Sequence, residues 1–347
     1  MSAQGRLGPG ELLQPAEVAD RFFSRGWTDG LPVMPPTEGA VAATLGAGGF
    51  GFDQVLGSVP ERSRTVTAGK VAVNAVMAGC LPEYFPVVVA AVRAALEPRF
   101  NLHAVSSSTG GAAVLILVSG PLAERIGMNS GANAFGPGNR ANATIGRTMR
   151  LVQMNVLGSE PGLMDASTLG HPGKYTFCIA EAPPPSPWVS LREELGYGPE
   201  QTAVLVFPGD SPLKVANQGA ATPSAILDTA LAALRSPSNY NTGHDSNTGG
   251  QAVLVICPEH AESIRDAGWT KDDVRAYVYE RSAVPRSSMR AAGRDSKGDG
   301  TDLLASLAGP DDLVLVTAGG YGGRWSMLVP AWARRATATF SHAPVAT

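Results

Sequence analysis

Residues 65–96 read TVTAGKVAVNAVMAGCLPEYFPVVVAAVRAAL. Thr65 or Thr67 stands where a helix N-cap belongs, with Val66, Val71, Val73, Val76 and Met77 as the apolar positions behind it. Gly79 stops this helix and Pro82 forbids its continuation, so a second apolar helix begins between Pro82 and Pro86. Cys80 then falls in the junction, just ahead of a helix N-terminus. Unpaired N–H groups and the positive dipole end favour a thiolate there. Lys70 and Asn74, four residues apart, share one face of the first helix.

From this hairpin onward the chain matches itself. KVAVNAVMAGCLP from Lys70 resembles KVANQGAATP from Lys214, an offset of 144 residues, and EPRFN ending at Asn101 resembles SPSNYN ending at Asn241, an offset of 140. TGGAAVLILV from Thr109 returns as TGGQAVLVIC from Thr248, and FCIAEAPPPSPW ending at Trp188 faces VTAGGYGGRW ending at Trp325, at offsets of 139 and 137. Four matches in one order predict an internal duplication. Short apolar runs predict strands at 113–118, 175–180, 203–207, 252–257 and 313–318. Strands alternating with helices predict an α/β or α+β layered fold, its two copies related by a pseudo-twofold axis. The expected organisation is an N-terminal extension with the WTDGLP loop (1–60), a first repeat (61–200), a second repeat (201–335) and a flexible tail (336–347). Residues 1–15 read as a flexible lead and 286–301 as a mobile polar loop.

Composition bounds the function classes. The 347 residues are 44% apolar and 16% charged, a globular balance, and 41 glycines with 27 prolines imply many turns. A net charge of −3 argues against a nucleic-acid footprint. No apolar run approaches the ~20 residues of a membrane span. The opening MSAQGRLGPGELLQP lacks the basic-then-apolar order of a signal peptide. Three widely spaced cysteines make no disulfide framework, so a cytoplasmic location is expected.

Cys80 is the candidate nucleophile, with Lys70 to lower its pKa and Glu83 or His103 to move protons. The alternative is a buried, inert cysteine. Cys178 and Cys257 lie in apolar runs and read as core. Cys257 and His260 make one C-x-x-H pair, whereas zinc needs four ligands, so no metal is expected. LGAGGFGF at 45–52 carries a G-x-G-x-x-G match at Gly46, Gly48 and Gly51 but follows no strand, and no cofactor motif is evident.

Residues 129–150, NSGANAFGPGNRANATIGRTMR, run a glycine- and asparagine-rich loop into a helix. Asn129, Asn133, Asn139 and Asn142, with Arg140, Arg147, Arg150 and Asn74, are candidates to hold a substrate's anionic group. Ordinary salt bridges to the neighbouring copy are the alternative for the arginines. Gly319, Gly320, Gly322 and Gly323 around Tyr321 suit close approach to a ligand or an oxyanion-type nest, or else a plain turn. In GWTDGLPVMPPT (26–37), Trp27 and Asp29 either lid a pocket or pack on the core.

WTDGLPVMPPT, NAVMAGCLPEYFPVV, GPGNRANATIGR and GKYTFCIAE together resemble a family of bacterial proteins of unassigned activity, over about residues 25–332. Its members are often encoded beside a small protein with a U/C-G-S-C motif, where U is selenocysteine. The resemblance implies a cytoplasmic location, thiol chemistry and a small thiol- or selenol-bearing partner protein. It puts the family's motif cysteine at Cys80 and its asparagine/arginine loop at Asn139, Arg140 and Asn142. It supplies no substrate. The expected function is a cysteine-dependent enzyme acting on a small anionic organic molecule, by lyase-like addition–elimination or thiol redox, at the interface of the repeats of an oligomeric protein. A non-catalytic scaffold for the thiol partner, and a cysteine-independent hydrolase using the glycine loops, are the alternatives.

Overall fold

The computed structural model describes residues 15–220, 222–242, 249–294 and 301–346. The lead at 1–14 and the polar stretch at 295–300 lie outside the described residues. Ahead of the main sheet come helices α1 (Pro15–Ser24) and α2 (Glu38–Ala47), a hairpin of β1 (Val55–Val59) and β2 (Arg64–Thr67), and helices α3 (Ala68–Ala78), α4 (Phe85–Ala95) and α5 (Leu102–Val105). The middle of the chain is β3 (Ala113–Ser119), α6 (Pro121–Arg125), α7 (Arg140–Asn155), β4 (Cys178–Ala180), α8 (Leu191–Glu194), β5 (Ala203–Gly209) and β6 (Leu213–Ala216). There follow α9 (Pro223–Leu234), β7 (Gly250–Ile256), α10 (Pro258–Asp266), α11 (Lys271–Ser282), β8 (Val284–Pro285) and α12 (Arg286–Ala291). The chain closes with β9 (Leu303–Leu304), β10 (Leu313–Thr317), β11 (Trp325–Arg334) and β12 (Ser341–Pro344).

The fold is mixed α/β. Eight strands form one sheet in the order β10–β7–β11–β5–β3–β4, with β6 paired to β11 and β12 to β5. The β3–β4 and β7–β10 pairs are parallel, and β5 and β11 run antiparallel to their neighbours. The join between halves is narrow: Ala331 sits opposite Gly209, and Asp210 N donates to Pro330 O at 2.9 Å. Alternate residues of β3 feed two cores. Val114, Ile116 and Val118 pack with α3, α4 and α7, while Leu115 and Leu117 join Val253, Val255, Val314 and Val316. Each such side chain, fully buried, stabilises the fold by about 1.5–3 kcal/mol.

The helical hairpin forms as its residues dictate. Thr67 caps α3 by accepting from Lys70 N at 3.4 Å, and Gly79, at φ +91°, closes it with its N–H on Ala75 O. A short turn at Pro82–Tyr84 then leads into α4. Helix α7 packs beside α3 and close to the chain entering β4. A Cβ at Gly146 would stand 2.3 Å from Thr176 Oγ1 and 2.8 Å from Phe177 N, so only glycine permits that approach.

Three expectations are corrected. The stretch read as a mobile polar loop at 286–301 begins with helix α12 (Arg286–Ala291), in which Arg286 and Met289 are buried. The segment read as a flexible tail forms β12, paired to β5 from Ser341–Val206 to Pro344–Ala203. It covers backbone groups of β5 that would otherwise lie open at a sheet edge. The Lys70/Lys214 match joins unlike structures, since Lys70 is helical while Lys214 lies in β6 opposite Met327. The turn at 217–219 and Pro223 leave no length there for a counterpart of α3.

Candidate functional site

A polar seam runs between α3 and α7. At one end Cys80 Sγ lies 3.3 Å from Thr148 Oγ1, and at the other Asn155 Nδ2 donates to Asn74 Oδ1 at 2.7 Å. Thr148 and Asn155 are seven residues apart on α7, two turns and about 10 Å at 1.5 Å per residue, so they share a face. Asn155 Nδ2 also donates to Trp27 O at 3.0 Å, and Asn74 Nδ2 to Lys70 O at 2.9 Å. The seam thereby pins the WTDGLP loop to the helix pair.

Where the seam meets that loop lies a cavity of about 950 Å³ that opens to solvent past the exposed Arg25, Arg64 and Lys70. Phe22, Trp27, Phe52, Val73 and Met77 give it apolar walls, with Pro35 and Pro36 from the loop. Arg21, Arg25, Arg64 and Lys70 give it cationic walls, against one lining carboxylate, Glu38. Arg25 stacks over the Trp27 ring at 5.2 Å. Lys70 Nζ donates to Thr65 O at 2.7 Å, which engages one of its three protons. Among the described residues, Arg25, Arg64 and Lys70 have no carboxylate within ion-pair distance. Three cations without counter-ions among the described residues, beside an aromatic wall, suit an organic anion.

Cys80 lies at the opposite end of α3 from Lys70. It is 8% exposed, and burial pushes its thiol up, only partly offset by hydrogen bonds with Thr144 and Thr148 and by the Arg140 charge. The direction is the reverse of the activation expected from Lys70, which lies ten residues, or about 15 Å of helix, away. Glu83 is exposed in the turn before α4. His103 Nδ1 accepts from Arg62 Nε at 3.0 Å, and among the described residues no hydrogen bond joins His103 to Cys80. The remaining Arg62 donors go to Leu157 O, Ser159 Oγ, His103 O and Ser106 Oγ, so this guanidinium is satisfied entirely by neutral acceptors.

The expected anion cradle is used internally. Arg147 makes a two-pronged pair with Asp29, at 2.8 and 2.7 Å, and Arg150 Nη1 meets Asp165 at 2.8 Å. Arg140 Nε donates to Gly79 O at 3.0 Å. Asn139 caps α7 and donates to Gly127 O, while Asn142 and Asn129 bond each other through side chain and backbone. Asn133 takes a left-handed φ of 61° and closes its own loop on Pro137 O. The glycine loop does form a nest, but Glu259 fills it: Gly323 N and Arg324 N donate to its carboxylate at 3.1 and 2.8 Å. Gly319 N meets Ser130 O at 2.9 Å, and Gly320 packs on Ala132 too tightly for a Cβ, so the two loops touch each other. Gly322 turns at φ +97° within the same loop.

Of the residues expected to bind substrate, only Asn74 lines the cavity, together with Lys70 from the catalytic candidates. Arg25, Arg64 and Asn155 were not singled out in the sequence. For Asn155 a signal existed: it lies seven residues beyond Thr148, one heptad along the face of α7 that meets α3. The C-x-x-H pair also has company. His260 Nδ1 lies 2.8 Å from Ser326 Oγ and Nε2 lies 3.0 Å from Asn217 O. Burial raises the Cys257 thiol, yet bonds with His260 and Ser326 outweigh it and pull it down. Cys257 and His260 are both buried, 2% and 0% exposed, which keeps this cluster away from ligands. Among the described residues no helix is long and apolar enough to cross a membrane, and no three His, Cys, Asp or Glu side chains gather to hold a metal ion. Neither a protein-family model nor a curated protein sequence matches the chain.

Proposed function

We propose that this protein binds a small organic anion in the cavity between α1, the WTDGLP loop, α3 and the end of α7. One observation carries the reading: Arg25, Arg64 and Lys70 face a cavity of ligand size without carboxylate partners among the described residues. The aromatic and aliphatic walls suit the carbon body of that ligand, and the cations its carboxylate or phosphate. Mass spectrometry of small molecules released from the purified protein tests this. An acidic metabolite enriched on the wild type and lost from the Arg64→Ala/Lys70→Ala variant is the expected outcome, and equal recovery from both would overturn it.

A cysteine-dependent reaction at Cys80, at a place apart from that cavity, is the second reading. It is favoured by the two threonine hydroxyls and the Arg140 charge, which all act to stabilise a thiolate against the burial that opposes it. Retained turnover in Cys80→Ala would remove it. We also read the two halves as copies of one unit. The strand path supports this, since a parallel outer pair and an antiparallel inner strand recur at both ends of the sheet.

A further inference from the structure

Asn155 has a side chain whose orientation is settled by its neighbours. The atom 3.0 Å from Trp27 O must be a donor, because a carbonyl oxygen only accepts, so that atom is the amide nitrogen. The same nitrogen donates its second proton to Asn74 Oδ1 at 2.7 Å. Both amide protons are therefore committed, and Oδ1 is left as a water-accessible acceptor with no protein partner among the described residues, on a residue that lines the cavity. Asn74 cannot take the role, since its Oδ1 already accepts from Asn155 and its Nδ2 donates to Lys70 O. Arg25, Arg64 and Lys70 carry donors alone. The cavity wall thus presents cations, the Glu38 carboxylate and, at Asn155, a neutral acceptor of fixed orientation.

Resting on the anion-binding reading, we propose that the ligand is a hydroxy- or amino-substituted organic acid. Its anionic group meets Arg64 and Lys70, and its O–H or N–H donates to Asn155 Oδ1. An acid of the same shape without a donor displaces water from that oxygen without replacing its hydrogen bond. The difference is worth about five- to tenfold in affinity.

Calorimetric titration of the full chain with matched probes tests this: mandelate against phenylacetate, and 3-(4-hydroxyphenyl)propionate against 3-phenylpropionate. The expected result is that at least one hydroxylated acid binds about five- to tenfold tighter than its plain counterpart. In Asn155→Leu, which also frees the Trp27 loop, the ratio between each hydroxylated acid and its plain counterpart should fall to about one, whatever the variant's absolute affinity. The wild-type comparison stands by itself even if the variant does not fold. Plain acids that bind as well as the hydroxylated ones in both pairs would overturn the donor requirement and leave anion binding intact. Failure of all four acids to bind the wild type would overturn both.

Discussion

Asn155 Nδ2 and Asn74 Oδ1 meet at 2.7 Å, joining the last turn of α7 to the middle of α3. Asn74 is 3% exposed, and the same Asn155 nitrogen reaches Trp27 O. One amide pair therefore sets both the helix spacing and the position of the loop that walls the cavity.

The second tie on that loop is Asp29 to Arg147, whose side chains are 2% and 15% exposed. Arg147 also donates to Leu31 O and Pro32 O at 3.2 and 2.9 Å. Asp29→Ala leaves a largely enclosed guanidinium without its carboxylate, and the expected cost is about 3 kcal/mol in denaturant unfolding. Limited proteolysis should cut near residues 27–34 faster than in the wild type. An unchanged cutting rate would mean the pair does not hold the loop.

Cys80 should behave as an enclosed, elevated thiol. At pH 8 iodoacetamide is expected to modify it at least about tenfold more slowly in the native protein than in urea. Cys80→Ala should cost about 1 kcal/mol and leave organic-anion binding unchanged. Rapid native alkylation, with a thiol titrating below the ordinary cysteine range, would contradict this and restore the sulfur as a nucleophile.

Glu181, partly buried at the end of β4, accepts from Ser119 Oγ at 2.5 Å and Leu191 N at 2.8 Å. Burial pushes its pKa up to about 7, with Lys271, Ser119 and the Leu191 amide pulling the other way and Glu194 adding to the rise. The folded state therefore holds this proton more tightly than the unfolded chain, where the carboxyl titrates near its ordinary value of 4.5. Its stabilising contribution is fully present below that value and is lost as pH rises through about 7. The loss is on the order of 2 kcal/mol after allowance for partial solvation. Unfolding free energies measured from pH 4.5 to 8 should fall in the wild type and flatten in Glu181→Gln; parallel curves would contradict the assignment.

Removing residues 340–347 strips β12 from β5 and also breaks the Val345 N to Thr202 O bond of 2.8 Å. Val345, 5% exposed, leaves the core beside α4 with it. The expected loss is about 3 kcal/mol or more, from several backbone bonds and one buried side chain. A thermal midpoint equal to that of the full chain would show the segment to be the loose tail its composition suggested.

The hairpin of α3 and α4 and the apolar strands were legible because capping, glycine stops and apolar runs are local signals. β12 was not, since SHAP has no strand pattern and forms only because β5 offers it an edge. The site misled for a related reason. Arg140, Arg147 and Arg150 look like an anion cradle in the sequence, but Gly79 O, Asp29 and Asp165 reach them from 61, 118 and 15 residues away. Conversely Arg64 sits in an unremarkable SRT triplet, and only the fold brings it to Lys70 and Trp27. Lys70 and Asn74 were picked out for sharing one face of the helix that leads to Cys80, and the face matters for the cavity instead.

The central claim is that Arg64 and Lys70 bind an organic anion beside Trp27. Its most direct test is nuclear magnetic resonance of the protein labelled at the tryptophan indole nitrogens, with the Trp27 signal assigned by Trp27→Phe, during titration with phenylacetate. The account predicts a saturable shift of the Trp27 indole in the wild type and none in Arg64→Ala/Lys70→Ala. A Trp27 signal that stays still at saturating phenylacetate, or moves identically in the double variant, would contradict it.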